Sequence, residues 1–244
     1  MIGRFSPILS AFCLCAFGLS AQSREMIYVE GGDFVTSTGQ SVQIASFYID
    51  PYEVTIGDFA RFVEATGYVT QAEKDKSTSL MGDEKGEGVN WRFDMWGRPV
   101  APSAYDETPL SYVSYADMLV YCEWAGKRLI REEEWEYAFR EGAKNSTFKY
   151  SGSNQGKRVA VMEDFDSVTT TRIGQKAPNA LGIYDMSGNQ NEICVVDDNR
   201  IIIRGGNFVD DASMATVQRA GRPLMPIAEV GNDHTWYFGF RCVK

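Results

Sequence analysis

Pro178-Asn179-Ala180-Leu181-Gly182-Ile183-Tyr184-Asp185-Met186-Ser187-Gly188-Asn189-Gln190-Asn191-Glu192 is the stretch on which the reading of this chain turns. Pro178 and Asn179 make a turn, Leu181, Ile183 and Tyr184 form a short apolar strand, and Ser187-Gly188-Asn189 turns the chain again. Asn189 and Glu192 stand three residues apart, so their oxygens can converge on one cation or on a set of backbone N–H groups. Two later segments are short returns of the same kind: Arg204-Gly205-Gly206, and Gly239-Phe240-Arg241-Cys242.

Around this stretch lie 244 residues, 44% apolar and 13% aromatic, enough to bury a full core. Nothing in the composition divides them into more than one domain. Residues 1–21 read as a signal peptide. Arg4 gives the positive start, Ile8 to Leu19 is an apolar run too short to span a bilayer, and Ser20-Ala21 offers small residues for cleavage. Residues 22–244 are then the mature chain, with no transmembrane span after cleavage; an uncleaved N-terminal anchor is the alternative. The full sequence carries 24 basic and 33 acidic residues, a net charge of −9, and losing Arg4 makes the mature chain more acidic still. Such a balance repels phosphate backbones and argues against nucleic acid as a partner. Cys122, Cys194 and Cys242 survive cleavage, and an oxidising compartment favours one pair and one thiol left over.

Along the chain, Glu25 to Asp33 and Val42 to Ile49 predict two strands. Thr55 caps a helix with Asp58 three residues on, Ile56, Phe59, Phe62 and Val63 share its face, and Gly67 stops it. Gln71 to Gly88 is polar and predicts a surface loop. Ser114 and Asp117 form a capping box for a second helix whose inward face is Met118, Tyr121, Cys122 and Ala125. A third helix spans Arg131 to Arg140, with Glu132, Glu133 and Glu134 at the positive end of its dipole. Met162-Glu163-Asp164-Phe165-Asp166 admits two readings, a calcium loop and a solvated acidic loop. Ile201 to Ile203 and Tyr237 to Val243 predict the last strands.

The run Tyr184-Asp185-Met186-Ser187-Gly188-Asn189 leading to Glu192 resembles the signature of the formylglycine-generating enzyme (sulfatase-modifying factor) family. Family members flank that glutamate with tryptophans; here Asn191 and Ile193 stand in those places. Pro51-Tyr52-Glu53-Val54-Thr55 and Tyr121-Cys122-Glu123-Trp124-Ala125-Gly126-Lys127-Arg128-Leu129 resemble two further family segments, and the likeness runs from about Met26 to Val243. It implies an α+β, irregular, loop-rich C-type-lectin-like fold opened by a first β-hairpin, a Cys122–Cys242 disulfide with Cys194 free, and a structural calcium at Asn189 and Glu192. For those two residues a turn stabilised by backbone hydrogen bonds is the equal alternative.

Competent members of the family bind copper(I) through two cysteines that follow the arginine-glycine-glycine turn, and use oxygen to convert a sulfatase cysteine to formylglycine. The corresponding positions here are Asp210 and Ala215, and neither offers the thiolate that a soft metal prefers. A second branch of the family holds nonheme iron with three histidines, but this chain has one, His234. The same shortage removes zinc-hydrolase and Ser-His-Asp readings. Asn207, Phe208, Asp210, Asp211, Arg219, Arg222, Trp236 and Tyr237 remain as a candidate ligand-binding cleft, the alternative for Phe208, Trp236 and Tyr237 being core packing. The reading is therefore a secreted or periplasmic, non-catalytic binding module for a glycan, a peptide or an envelope protein. The competing reading is an enzyme of changed chemistry using Asp210, Asp211 and Glu163 for a hard cation or for acid–base work.

Overall fold

The computed structural model describes residues 24–80, 84–163, 171–217 and 223–244. The expected signal peptide, Asp164 to Asp166 of the acidic run, Arg219 and Arg222 lie outside the described residues.

Short apolar runs broken by glycines produce several small sheets instead of one large one. The first strands are β1 (Ile27–Val29), β2 (Gly32–Val35), β3 (Ser41–Ile44) and β4 (Phe47–Ile49). β1 pairs with β4 and β2 with β3, both antiparallel. The single hairpin expected from two longer strands is thus divided at Gly31. A Cβ at that position would lie 2.2 Å from the Ile44 carbonyl oxygen, and the Gly31 N–H donates to Ser46 Oγ at 3.0 Å. Only glycine lets the chain cross so closely.

Helix α1 (Ile56–Thr66) begins at the expected capping box: Asp58 N–H donates to Thr55 Oγ1 and Thr55 N–H to Asp58 Oδ2. Left-handed Gly67 closes it through a 2.8 Å bond to the Val63 carbonyl. The segment read as a surface loop instead holds helix α2 (Gln71–Asp75) and the hairpin β5 (Ser77–Ser79) and β6 (Lys85–Glu87). Thr70 and Glu73 form a second capping box there. The stretch is too polar to show apolar periodicity, so local capping and turn chemistry hold it.

Helix α3 (Tyr115–Trp124) follows with the Ser114–Asp117 box, then β7 (Arg128–Leu129), α4 (Glu132–Phe139) and α5 (Gly156–Val159). The chain finishes with β8 (Glu192–Asp197), β9 (Arg200–Arg204), β10 (Met225–Pro226), α6 (Ile227–Val230) and β11 (Cys242–Val243). The main sheets have strand orders β1-β4-β11-β7 and β10-β9-β8.

The β8–β9 ladder organises the core through its two-residue period. Ile193, Ile201 and Ile203 pack with Phe59, Phe62, Met118 and Tyr121 of α1 and α3. Cys194 and Ile202 belong to the other cluster, with Trp135, Ala138 and Phe139 of α4. The last strand is shorter than the sequence predicts. Before β11 the backbone makes only an isolated bridge from Gly239 to Glu192, at a point where an added Cβ on Gly239 would lie 2.5 Å from Gln190 Cγ. Among the described residues no helix is long and apolar enough to cross a membrane.

Candidate functional site

The quoted stretch does not run on the surface. Asp185 and Asn189 both adopt positive φ, 58° and 63°, which short polar side chains tolerate. This local geometry turns Asp185, Asn189, Gln190 and Glu192 inward, where they meet Glu53 from the β4–α1 turn and Arg241 from the segment before β11.

Arg241 is fully buried and fixes the cluster. Its Nη2 donates to Glu192 Oε1 at 2.8 Å and to the Tyr184 carbonyl at 2.8 Å, its Nη1 to the Asp50 carbonyl at 3.0 Å, and its Nε to both Glu192 oxygens. Trp135 Nε1 donates to Glu192 Oε2 at 2.9 Å. Burial works against the Arg241 charge, but Glu192 outweighs it and keeps the guanidinium protonated. Glu53 receives Asn189 Nδ2 at 2.8 Å and the Gln190 N–H at 3.1 Å. Burial, then the charges of Asp185 and Glu192, push its carboxyl well above the ordinary range.

Of the expected Asn189–Glu192 calcium pair, Glu192 is paired with the Arg241 guanidinium and Asn189 turns its amide nitrogen to Glu53. Asn189 Oδ1 and Asp185 Oδ1 are buried without a partner among the described residues. The described residues contain no group of three or more His, Cys, Asp or Glu side chains placed to hold a metal.

Burial pushes Asp185 up to about 6, against the Gly174 N–H and Arg241 that pull it down. A carboxyl raised on folding holds its proton more tightly in the native chain than in the unfolded one. The stability it contributes is therefore full below the ordinary carboxylate range and lost as pH rises through about 6. Wild-type urea stability relative to Asp185→Asn is expected to fall by on the order of 3 kcal/mol across that window. Asparagine suits the positive φ, and parallel pH profiles for the two proteins would contradict the assignment.

The glycine turn at Gly205-Gly206 leads to the positions that decide oxidase chemistry. Gly206 adopts φ 73°, and a Cβ there would lie 3.1–3.2 Å from the Met214 and Ala215 backbone, so the loop is folded tightly on itself. Asn207 is buried and serves the turn: its N–H donates to Asp210 Oδ2 at 3.0 Å and its Oδ1 accepts from Val209 N–H at 2.9 Å. Asp211 is exposed, accepts from Ser213 N–H at 2.8 Å, and is lowered by that bond. Ala215 is fully buried beside Tyr150, Val159, Ala160 and Met162, and its carbonyl accepts Ser187 Oγ at 2.8 Å. A half-buried turn carboxylate and a buried methyl do not fit copper(I). The carboxylates of Asp210, Asp211 and Glu163 do not converge on a cation site either.

Phe208 is 3% exposed and packs on Trp96, with ring centroids 4.7 Å apart, so it is core and not platform. Trp236 and Tyr237 are half-buried and edge-on to each other at 5.4 Å. Four members of the expected cleft, Asn207, Phe208, Asp210 and Asp211, are thus occupied by packing or by turn hydrogen bonds. His234 clamps a loop, bonding Asp75 and Thr78. Cys122 and Cys242 come together across α3 and β11 as free thiols with sulfurs 3.3 Å apart, beyond the bonding distance of about 2.05 Å. Cys194 is buried, and burial raises its thiol far above the range of a reactive one.

A cavity of about 940 Å³ opens on the side of the β4–α1 turn. Glu53 and Tyr121 line it, along with four cations, each bound to a carboxylate of the wall. Lys127 pairs with Asp50 at 2.7 Å, Arg172 with Glu107 at 2.9 Å, Arg61 with Asp58 and Asp106, and Arg24 with Asp58. Neither this cavity nor the Glu53–Asp185–Arg241 cluster was found in the sequence. The available signal was charge embedded in apolar motifs, in Tyr52-Glu53-Val54, Tyr184-Asp185-Met186 and Phe240-Arg241-Cys242.

Residues 17–244 match the family described as Sulfatase-modifying factor enzyme 1-like domain. The chain belongs to the sulfatase-modifying factor family. It is 32% identical over 179 residues to the formylglycine-generating enzyme of Mus musculus, covering 61% of this chain and 48% of that protein. It therefore spans about half the length of that relative. To the inactive C-alpha-formylglycine-generating enzyme 2 of Bos taurus it is 26% identical over 275 residues, covering 92% and 89% of the two chains. Two solved structures share the fold at 20% identity. PvdO from Pseudomonas aeruginosa has a TM-score of 0.65 and covers 89% of this chain and 93% of its own; CarF has a TM-score of 0.64 and covers 90% and 97%. The α+β, loop-rich fold expected of a sulfatase-modifying factor protein is the one observed.

Proposed function

We propose that this protein is an exported, non-catalytic member of the sulfatase-modifying factor family that binds a ligand or a partner protein in the secreted or periplasmic space. The observation that carries the reading is the pair Asp210 and Ala215, one a turn acceptor and the other a sealed methyl, where the family's oxidases hold copper through sulfur. The end-to-end likeness to the inactive bovine relative supports it. The family fold by itself licenses many functions, and these two positions distinguish among them. The acidic surface disfavours nucleic acid, and the N-terminal apolar run supports export.

The test is incubation of the purified protein with copper(I), oxygen and a peptide carrying the sulfatase cysteine motif, read by peptide mass. No formylglycine and no stoichiometric copper are expected. Conversion of the peptide would overturn the reading and place a catalytic centre outside the positions of Asp210 and Ala215.

A further inference from the structure

The cavity beside the β4–α1 turn has the size of a small-molecule site, at about 940 Å³. Its walls are built for a particular charge class. Every cation on them already faces a carboxylate, so these pairs leave no unopposed positive charge for an anionic ligand and no unopposed negative charge for a cationic one. A neutral polyhydroxylated ligand needs neither. Its hydroxyls donate to the remaining lone pairs of the carboxylates and accept from the remaining N–H groups of the arginines, of which each guanidinium has five.

Two further observations point the same way. Tyr121 is 5% exposed and lines the cavity, and burial raises its phenol. Pro51, Val54 and Ile173 supply apolar wall beside the ion pairs, the mixture that the C–H and O–H faces of a sugar ring require.

We propose that this cavity binds a neutral saccharide, with the Tyr121 hydroxyl and the paired arginine–carboxylate walls sharing its hydroxyl groups. The proposal rests on the reading of the chain as a binding protein and gives that reading its ligand class and its place in the fold. It moves the site from the loop after Gly206 to the cavity beside the β4–α1 turn.

The experiment is a printed array of neutral and anionic glycans probed with the purified chain, followed by calorimetric titration of the strongest hit against wild type, Tyr121→Phe and Arg172→Gln. Retention confined to neutral glycans is expected, with affinity reduced at least tenfold by Tyr121→Phe and severalfold by Arg172→Gln. Urea midpoints of both variants are expected to match wild type, since neither residue packs through the group removed. Retention of no neutral glycan, retention of anionic glycans alone, or a Tyr121→Phe variant that binds as wild type does would each overturn the proposal. The formylglycine assay stands apart: a protein that converts no peptide and retains no glycan loses the saccharide and keeps the non-catalytic reading.

Discussion

Arg241→Met is expected to destabilise the protein by about 3–5 kcal/mol, a large share of the stability of a domain of this kind. The cost comes from what is left behind. Glu192 would lose its counter-charge with no exposure to water, and the Tyr184 and Asp50 carbonyls would lose the guanidinium donors they now share. Glu53 and Asp185, both raised by burial, would lose the nearest positive charge and rise further. Urea denaturation followed by tryptophan fluorescence measures the loss. The double variant Arg241→Met/Glu192→Gln removes both charges and is expected to recover part of the stability, because a neutral amide can still accept from Trp135 Nε1. A single variant within about 1 kcal/mol of wild type would mean that the cluster is solvated and not the keystone of the fold.

Gly188→Ala is the second large effect, expected at about 3 kcal/mol or more. Gly188 adopts φ 80°, and an added Cβ would lie 2.3 Å from the Val161 carbonyl oxygen and 2.8 Å from Met162 Cγ. That carbonyl is the acceptor for Asn189 N–H at 2.9 Å, so it cannot retreat without breaking the bond that sets Asn189. Gly67→Ala is the control. It has a similar φ of 68° but nothing within 4 Å of the added carbon, so only the left-handed backbone is penalised, by about 1 kcal/mol. Equal losses for the two variants would show that the contact with Val161 yields easily and that conformational preference alone explains both.

Much of the framework was legible in the residues because it depends on neighbours in sequence. The Thr55–Asp58 and Ser114–Asp117 boxes, the stop at Gly67 and the inward face of α3 are interactions over three to four residues, and each has a side-chain signature. The third box, Thr70–Glu73, has the same signature but lies in a polar segment where apolar spacing gave no prompt. The division of the first hairpin at Gly31 had no such mark, since it depends on how closely the Ile44 carbonyl approaches from the paired strand.

The candidate site divides along the same line. Sequence alone determined that Asp210 and Ala215 carry no thiolate, that the chain has one histidine and that it is acidic, because these follow from which atoms the residues possess. Tertiary structure alone decided where polar groups spend their hydrogen bonds. It turned Phe208 into core, gave Asn207 and Asp210 to a turn, and closed Arg241 on Glu192 across 49 positions of chain. It also placed Tyr121 on the wall of a cavity shared with Glu53 and Arg172. The physical reason is that a side chain's chemistry is local, whereas its burial and its partners are set by segments distant in sequence that the fold brings together.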